Sequence, residues 1–311
     1  MVGTTAGAPA DDAARVLLLT TAYNDASFCD ALFDGVVSQT RPPDHWVIVD
    51  DGSTDGTFEA LRRRAGDADW ITLLRREPVE QRIPDRLAVA AVPRSLNWAL
   101  AGTDWRGYTH IGKLDADVQL SPRFLEQLLL DFEEDPSLGI TGGLLSERHA
   151  GAWRDVTQPP THAPPPARLY SRQCFADSGG FRERLGWDTI DEVYARMRGY
   201  STRVNVDVLV RHLRTQGVAD GRLRGRARHG RCAWISHYPA SFVLLRSLKV
   251  AVRFTPWGVA GLAFLSGYFG AALRRVPRVE APEFRRYVHR ELRARLAAPL
   301  RTATAGLGWR A

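Results

Sequence analysis

Three short apolar runs, each closing on acid or amide, constrain this 311-residue chain more than any other feature. Residues 15–23 (RVLLLTTAY) run into Asn24-Asp25, residues 45–51 (HWVIVDD) end in Asp50-Asp51, and residues 108–117 (YTHIGKLDAD) end in Asp115-Ala116-Asp117. A strand that is apolar at successive rather than alternate positions is covered on both faces, as in a parallel sheet between helices. Helices are expected at 27–38, at 56–65 and around Leu96, Ala99 and Leu100, with a further strand at 70–74. This alternation predicts an α/β domain with a mostly parallel sheet. Ligands of such sheets lie beyond the carboxyl ends of the strands. The three acidic clusters should therefore share one rim.

Local signals fill in the rest. Asp55 is placed to cap the helix at 56–65. Residues 77–93 hold Pro78, Pro84 and Pro93 and read as a loop. Ser121 and Pro122 have the chemistry of an N-cap and a first helical residue for a helix over 121–135. Residues 157–167 (TQPPTHAPPPA) form an extended proline-rich loop. Residues 168–175 return as a strand, 186–200 form a short helix, and 202–213 alternate as a strand. Residues 1–14 read as a flexible tail, 15–220 as the α/β domain, and 221–311 as a basic helical extension.

Charge divides the chain in the same way. Residues 1–150 carry a net −10 and residues 221–311 a net +15. An acidic, site-bearing first part and a basic last part that meets something anionic are implied. With 44% apolar and 25% charged residues, the chain has the composition of a globular protein rather than a disordered or polytopic membrane one. Cys29, Cys174 and Cys232 form no CxxC pair, so a disulfide scaffold is not expected and a reducing compartment fits. The N-terminus has no basic and apolar leader pattern, which predicts no signal peptide. Residues 254–273 are uncharged over twenty positions but hold Pro256 and four glycines. They could lie on a membrane surface, pack as a soluble helix or span a bilayer; the flanking arginines favour an interfacial arrangement. Residues 239–253 set Phe242, Leu245, Leu248 and Val252 at helical spacing with Arg246, Lys249 and Arg253 between them, which supports an anionic membrane surface as partner over 239–278. No nucleic-acid module is present, and none is expected to bind.

Two carboxylates one residue apart, as in Asp115 and Asp117, can grip a divalent cation such as Mg2+ or Mn2+ and the phosphates it carries. Alone such a pair also suits a solvated strand end, and Asp50-Asp51-Gly52-Ser53 also suits a plain turn. Their order on one rim makes chance less credible. Residues 107–114 (GYTHIGKL) nearly match a P-loop, but Leu114 stands where that motif needs a hydroxyl.

VIVDDGSTDGT together with KLDAD resembles the family 2 glycosyltransferases of GT-A fold. RVLLLTTAYN is similar to that family's opening strand, RSLNWAL with Asn97 to its post-loop helix, and CFADSGGF to the segment before its Gly-Gly-Phe turn. The resemblance covers about 15–213. It implies a nucleotide-sugar half over 15–118 and an acceptor half over 119–220. It places Asp51 at the nucleobase, with Thr21 and Tyr23 lining the pocket and Asp50 beside them. Arg94 and Lys113 become candidates for phosphate contact, and Asp115 and Asp117 for the metal. Counting back from Gly199-Tyr200 by the family's offset lands on Asp188 as catalytic base, although Trp187 replaces the usual preceding acid. Asp191 is the close alternative. Counting forward lands on His212 as a metal or diphosphate ligand.

The expected activity is metal-dependent, inverting transfer of a hexose-type sugar from a nucleotide diphosphate sugar to a hydroxyl. The acceptor would be a lipid-linked glycan or polysaccharide intermediate at the inner face of the cell membrane. Two rivals stand beside it. A sugar-nucleotide nucleotidyltransferase would need a Gly-rich basic loop after the first strand, which TTAYNDAS lacks. A non-catalytic membrane-surface partner would not need the acids that are kept.

Overall fold

The computed structural model describes residues 13–77, 86, 89–149, 151–214, 221–254 and 256–305. The expected tail at 1–14, except its last two residues, and most of the loop at 77–93 lie outside these.

Strands β1 (Val16–Ala22), β2 (His45–Asp50), β3 (Ile71–Arg75) and β4 (His110–Asp115) alternate with helices α1 (Cys29–Val37), α2 (Thr57–Ala65) and α3 (Ala91–Ala101). These four strands are parallel, in the order β3-β2-β1-β4. The sequence predicts each of them to within two residues. The reason is visible in β1. Val16 and Leu18 pack with Leu32, Phe33 and Val36 of α1, while Leu17 and Leu19 pack with Leu96 and Leu100 of α3. Both faces are covered, so every position must be apolar.

The sheet then continues as a mixed one. β5 (Val118–Leu120), α4 (Phe124–Glu134), β6 (Leu138–His149), β7 (Ala152–Asp155), β8 (Ala167–Ser171), α5 (Arg172–Ser178), α6 (Trp187–Met197) and β9 (Ser201–His212) complete it. The strand order is β3-β2-β1-β4-β8-β6-β9-β5, with β7 hairpinned onto β6. β8 runs antiparallel to both neighbours, β9 is parallel to β6, and β5 is antiparallel to β9.

Three expectations need correction. The helix expected at 121–135 starts at Phe124; Ser121 spends its hydroxyl on the Leu209 N–H (3.3 Å), and Gln39 Oε1 takes the Leu125 N–H (3.0 Å) from across the fold. The strand expected at 168–175 stops at Ser171, whose hydroxyl accepts the Cys174 N–H and opens α5. Gly56 rather than Asp55 occupies the N-cap of α2, although the Asp55 carboxylate still accepts the Thr57 N–H at 3.0 Å.

Helices α7 (Arg222–Ile235), α8 (Ala240–Arg253), α9 (Val259–Leu273) and α10 (Pro282–Ala305) form the C-terminal part. α7 and α10 pack on α6 through Ile190, Val193, Ile235, Phe284, Val288 and Leu292. α7, α8 and α9 share a second core around Val243, Val250, Phe264 and Tyr268. Among the described residues no helix is long and apolar enough to cross a membrane. All three cysteines are free.

Candidate active site

Ladder register decides where the acids go. Thr21 is level with Asp115 across β1 and β4, and Ala22 with Asp50 across β1 and β2. Tyr23, Asp25, Asp51 and Asp117 follow within a few residues, so the three clusters share the carboxyl rim of the sheet. The near P-loop at 107–114 runs from the turn before β4 through nearly all of that strand.

The loops leaving the rim are tied to one another. Gly52 turns the chain after Asp51 at φ +79°, where a side chain would be strained. Asn24 adopts φ +54°, its N–H donates to Ser53 Oγ (3.0 Å), and its Oδ1 accepts the Thr54 N–H (2.9 Å). Asp50 is fully buried beneath this turn. Its Oδ2 accepts the Ser53 N–H at 3.4 Å, and burial raises its pKa. Asp50 therefore holds the turn together rather than facing the rim.

Each rim carboxylate stands against a cation. Asp51 accepts from Arg76 (2.7 Å) and from Arg86, whose guanidinium lies 3.6 Å from the centre of the Tyr23 ring. Lys113 is buried, with Nζ 2.5 Å from Asp115 Oδ1 and donating to the Pro165 carbonyl at 2.7 Å. Pairing of β5 with β9 sets Val118 level with His212 and so brings His212 Nε2 to 3.3 Å from Asp117 Oδ1. Arg214 Nε lies 3.2 Å from Asp117 Oδ2, and its Nη2 reaches Asp25. Glu147 of β6 flanks the imidazole, 3.7 Å from Nδ1.

Burial and charge oppose each other here. Burial raises Asp115, and Lys113 offsets only part of it. Burial acts on Asp117 too, but the bond from His212 and the charges of His212 and Arg214 hold it below the usual range. Burial works against a charged His212, yet Asp117 and Glu147 raise it to about 9. Asp25 is pushed by burial to about 6, against the pull of the Tyr23 N–H and Arg214. Carboxylate oxygens and an imidazole are the donors that Mn2+ and Mg2+ accept. Asp117 and His212 fit such an ion in type and nearness. Asp115 is turned to Lys113 instead, and among the described residues no group of three or more His, Cys, Asp or Glu is arranged to hold an ion.

The two candidate bases sit one turn apart on α6 and differ sharply. Asp188 is half-buried in the first turn, its Oδ1 accepting the Thr189 N–H at 3.1 Å. Trp187 beside it lies 5.8 Å from Lys113 Nζ, which joins this helix start to the rim. Asp191 is buried. It accepts from the Tyr170 hydroxyl (2.5 Å) and from Arg168 (3.2 Å), and burial lifts it to about 7 with Arg168 opposing. Arg168, itself buried, also donates to the Asp188 backbone carbonyl (2.9 Å). Arg94 stands apart, exposed on α3 with Nε 3.6 Å from Glu183.

Arg76, Arg86, Glu147, Arg168 and Arg214 were not singled out from the sequence. Asp25 was expected on the rim as part of the first cluster, without a role of its own. The arginines carry no local signal among forty in the chain.

The paired carboxylates thus stand along the carboxyl edge of a mixed α/β sheet. The family model described as "Glycosyl transferase family 2" matches residues 18–82. A polyprenol monophosphomannose synthase of Mycolicibacterium smegmatis is 31% identical over 166 residues, 51% of this chain and 55% of that protein. A chondroitin synthase of Pasteurella multocida is 28% identical over 123 residues, 40% of this chain and 11% of that protein. The chain thus spans about half, or much less, of the curated relatives it matches. In fold, a mannosyltransferase of Pyrobaculum calidifontis in complex with GDP-Man and Mn2+ superposes with TM-score 0.52 at 20% identity, covering 96% of this chain and 85% of that one. GalNAc-T7 with UDP, GalNAc and Mn2+ superposes with TM-score 0.55 at 11% identity, covering 92% and 58%. Residues 18–82 thus resemble the family 2 glycosyltransferases, and the chain as a whole shares the fold of the superposed transferases.

Proposed function

We propose that this chain transfers a hexose-type sugar, with inversion, from a nucleotide diphosphate sugar to a hydroxyl of a lipid-linked glycan or polysaccharide intermediate. The observation that carries the reading is the rim: the Asp115-Ala116-Asp117 strand end with His212 beside it, and Asp188 on the helix that leans on Lys113. Asp51, Thr21 and Tyr23 take the nucleobase end of the donor. There Arg76 and Arg86 must yield or turn to the donor, because they now occupy Asp51. Asp117 and His212, with Asp115 once it leaves Lys113, would hold Mg2+ or Mn2+. The ion would supply charge neutralisation of the departing diphosphate.

Asp188 then removes the acceptor hydroxyl proton as that oxygen attacks the anomeric carbon. The new C–O bond forms on the face opposite the breaking bond to phosphate, and the nucleoside diphosphate leaves with the electron pair. Asp191 acts through Arg168, which orients the Asp188 backbone, and is a positioning residue.

Membrane association through 239–278 belongs to the same reading. α8 buries Val243, Ser247 and Val250 and turns Leu245 (54% exposed), Leu248 (65%) and Val252 (79%) outward. Trp257 and Leu273 continue this apolar surface (75% and 85%), with Arg246, Lys249 and Arg253 beside it, as suits the inner face of an anionic membrane.

Donor hydrolysis across a panel of nucleotide sugars with Mn2+, Mg2+ or EDTA tests the reading. Metal-dependent release of nucleoside diphosphate from one donor is expected. Silence across the panel with no nucleotide binding would remove it.

A further inference from the structure

A second charged site lies away from the acidic rim, on the flank of α10. A cleft of about 880 Å3 opens between α10, the α7–α8 junction at His237, and residues 279–282. Phe284, Val288 and Leu292 recur every four residues and bury one stripe of α10. Arg285, His289 and Arg293 form the adjacent stripe, with Arg286 and Arg290 beside it, and all five line the cleft.

These arginines are unmatched. Among the described residues no carboxylate pairs with Arg285, Arg286, Arg290 or Arg293, although Glu291 on the same helix pairs with Arg196 (3.3 Å) and Arg295 (2.5 Å). Glu280 is the one acid in the lining. Like charges four residues apart on a helix, as Arg286 and Arg290, oppose each other, and Arg290 finds only the Tyr287 ring at 5.2 Å. The imidazoles are fixed in place. His237, at φ +59°, donates Nε2–H to the Val279 carbonyl (2.8 Å), and His289 Nε2 donates to the His237 carbonyl (2.9 Å). Arg278, stacked 3.2 Å from the centre of the Trp234 ring, adds a further cation beside His237. Burial, together with the charges of Arg278 and Arg285, keeps His237 below its usual pKa. The field in the cleft is therefore positive, with Glu280 alone set against four arginines in the lining, and α10 begins there with its N-terminal dipole of the same sign.

We propose that this cleft is a binding site for a multiply charged phosphate anion, separate from the donor site. Guanidinium forks match phosphate oxygens two at a time, and four of them suit a diphosphate or a phosphorylated headgroup better than a single carboxylate. The apolar floor leaves room for a ligand whose phosphate is attached to something less polar.

Calorimetric titration of the full chain with pyrophosphate in EDTA, at low ionic strength, tests this. EDTA denies pyrophosphate a metal to follow to the acidic rim. Co-sedimentation with phosphatidylglycerol-containing and pure phosphatidylcholine vesicles forms the second arm. The variant is Arg285→Gln/Arg290→Gln, and the control of equal charge is Arg62→Gln/Arg63→Gln on the exposed face of α2. Circular dichroism checks that both fold. The cleft variant is expected to weaken binding by about tenfold or more, because charge-assisted bonds are lost, while the α2 control binds as wild type. Loss in the pyrophosphate arm assigns a soluble anion; loss confined to the anionic vesicles assigns a lipid headgroup. Equal weakening by both variants, or no binding in either arm, overturns the proposal. Donor turnover measured alongside reports on the transferase reading independently.

Discussion

At the scale of the residue, the active-site proposal turns on two acids separated by one helical turn. Asp188→Asn should bind donor normally and lose about 10²–10⁴ in transfer rate, the usual contribution of a positioned base; stopped-assay turnover beside nucleotide titration checks this. Asp191→Asn, which takes an anionic partner from Arg168, should lower the transfer rate far less than Asp188→Asn does. A folded but inactive Asp191→Asn, with Asp188→Asn active, would move the base one turn along α6. Arg168→Leu leaves Asp191 buried without its cation, while Glu192 keeps Arg196 and His162, and should cost about 3–5 kcal/mol in urea unfolding. Asp117→Asn should abolish metal-dependent donor binding; undiminished binding in Mn2+ would take the metal role from that residue. The sequence alone could not separate Asp188 from Asp191, because what distinguishes them is Arg168 and Tyr170, brought from β8 some twenty residues away.

At the scale of the element, legibility followed burial. β1, β2 and β4 are readable because two helix layers force continuous apolar runs. β6, by contrast, has no counterpart in the sequence-based expectations. Its centre, Gly142-Gly143, has the composition of a turn. In the fold, a side chain on Gly142 would meet the Ala167 carbonyl at 2.6 Å, and one on Gly143 the Val208 carbonyl at 2.7 Å. The glycines admit neighbouring strands where the ladder with β9 shifts register. The cap of α4 was illegible for a related reason: Gln39 supplies it from 86 residues away. The same close approach governs the C-terminal helices. A Cβ on Gly267 would lie 1.8 Å from the Ala227 carbonyl, so Gly267→Val should separate α9 from α7 and lower the melting temperature markedly. On α8 the apolar stripe at Leu245, Leu248 and Val252 was legible as amphipathic and as meeting a membrane surface, and these three side chains are exposed in the fold. Leu245→Glu/Leu248→Glu should cut vesicle co-sedimentation while leaving the fold intact, since neither side chain is buried.

At the scale of the whole molecule, the charge split follows the architecture: the acidic first half builds most of the sheet, and the basic last third builds the C-terminal helices. Attraction of the C-terminal part to anionic vesicles should fall steeply with added salt, as expected for exposed charges. Donor capture should behave differently. Asp51 is held by Arg76 and Arg86, Asp115 by Lys113, and Asp117 by Arg214. The rim is thus a loaded ion exchanger. An arriving nucleotide and its cation swap partners with pairs already formed, so few small ions are taken up from or released to the buffer. Donor affinity should then be nearly flat with ionic strength, while the rate of capture is set by how fast those internal pairs come undone.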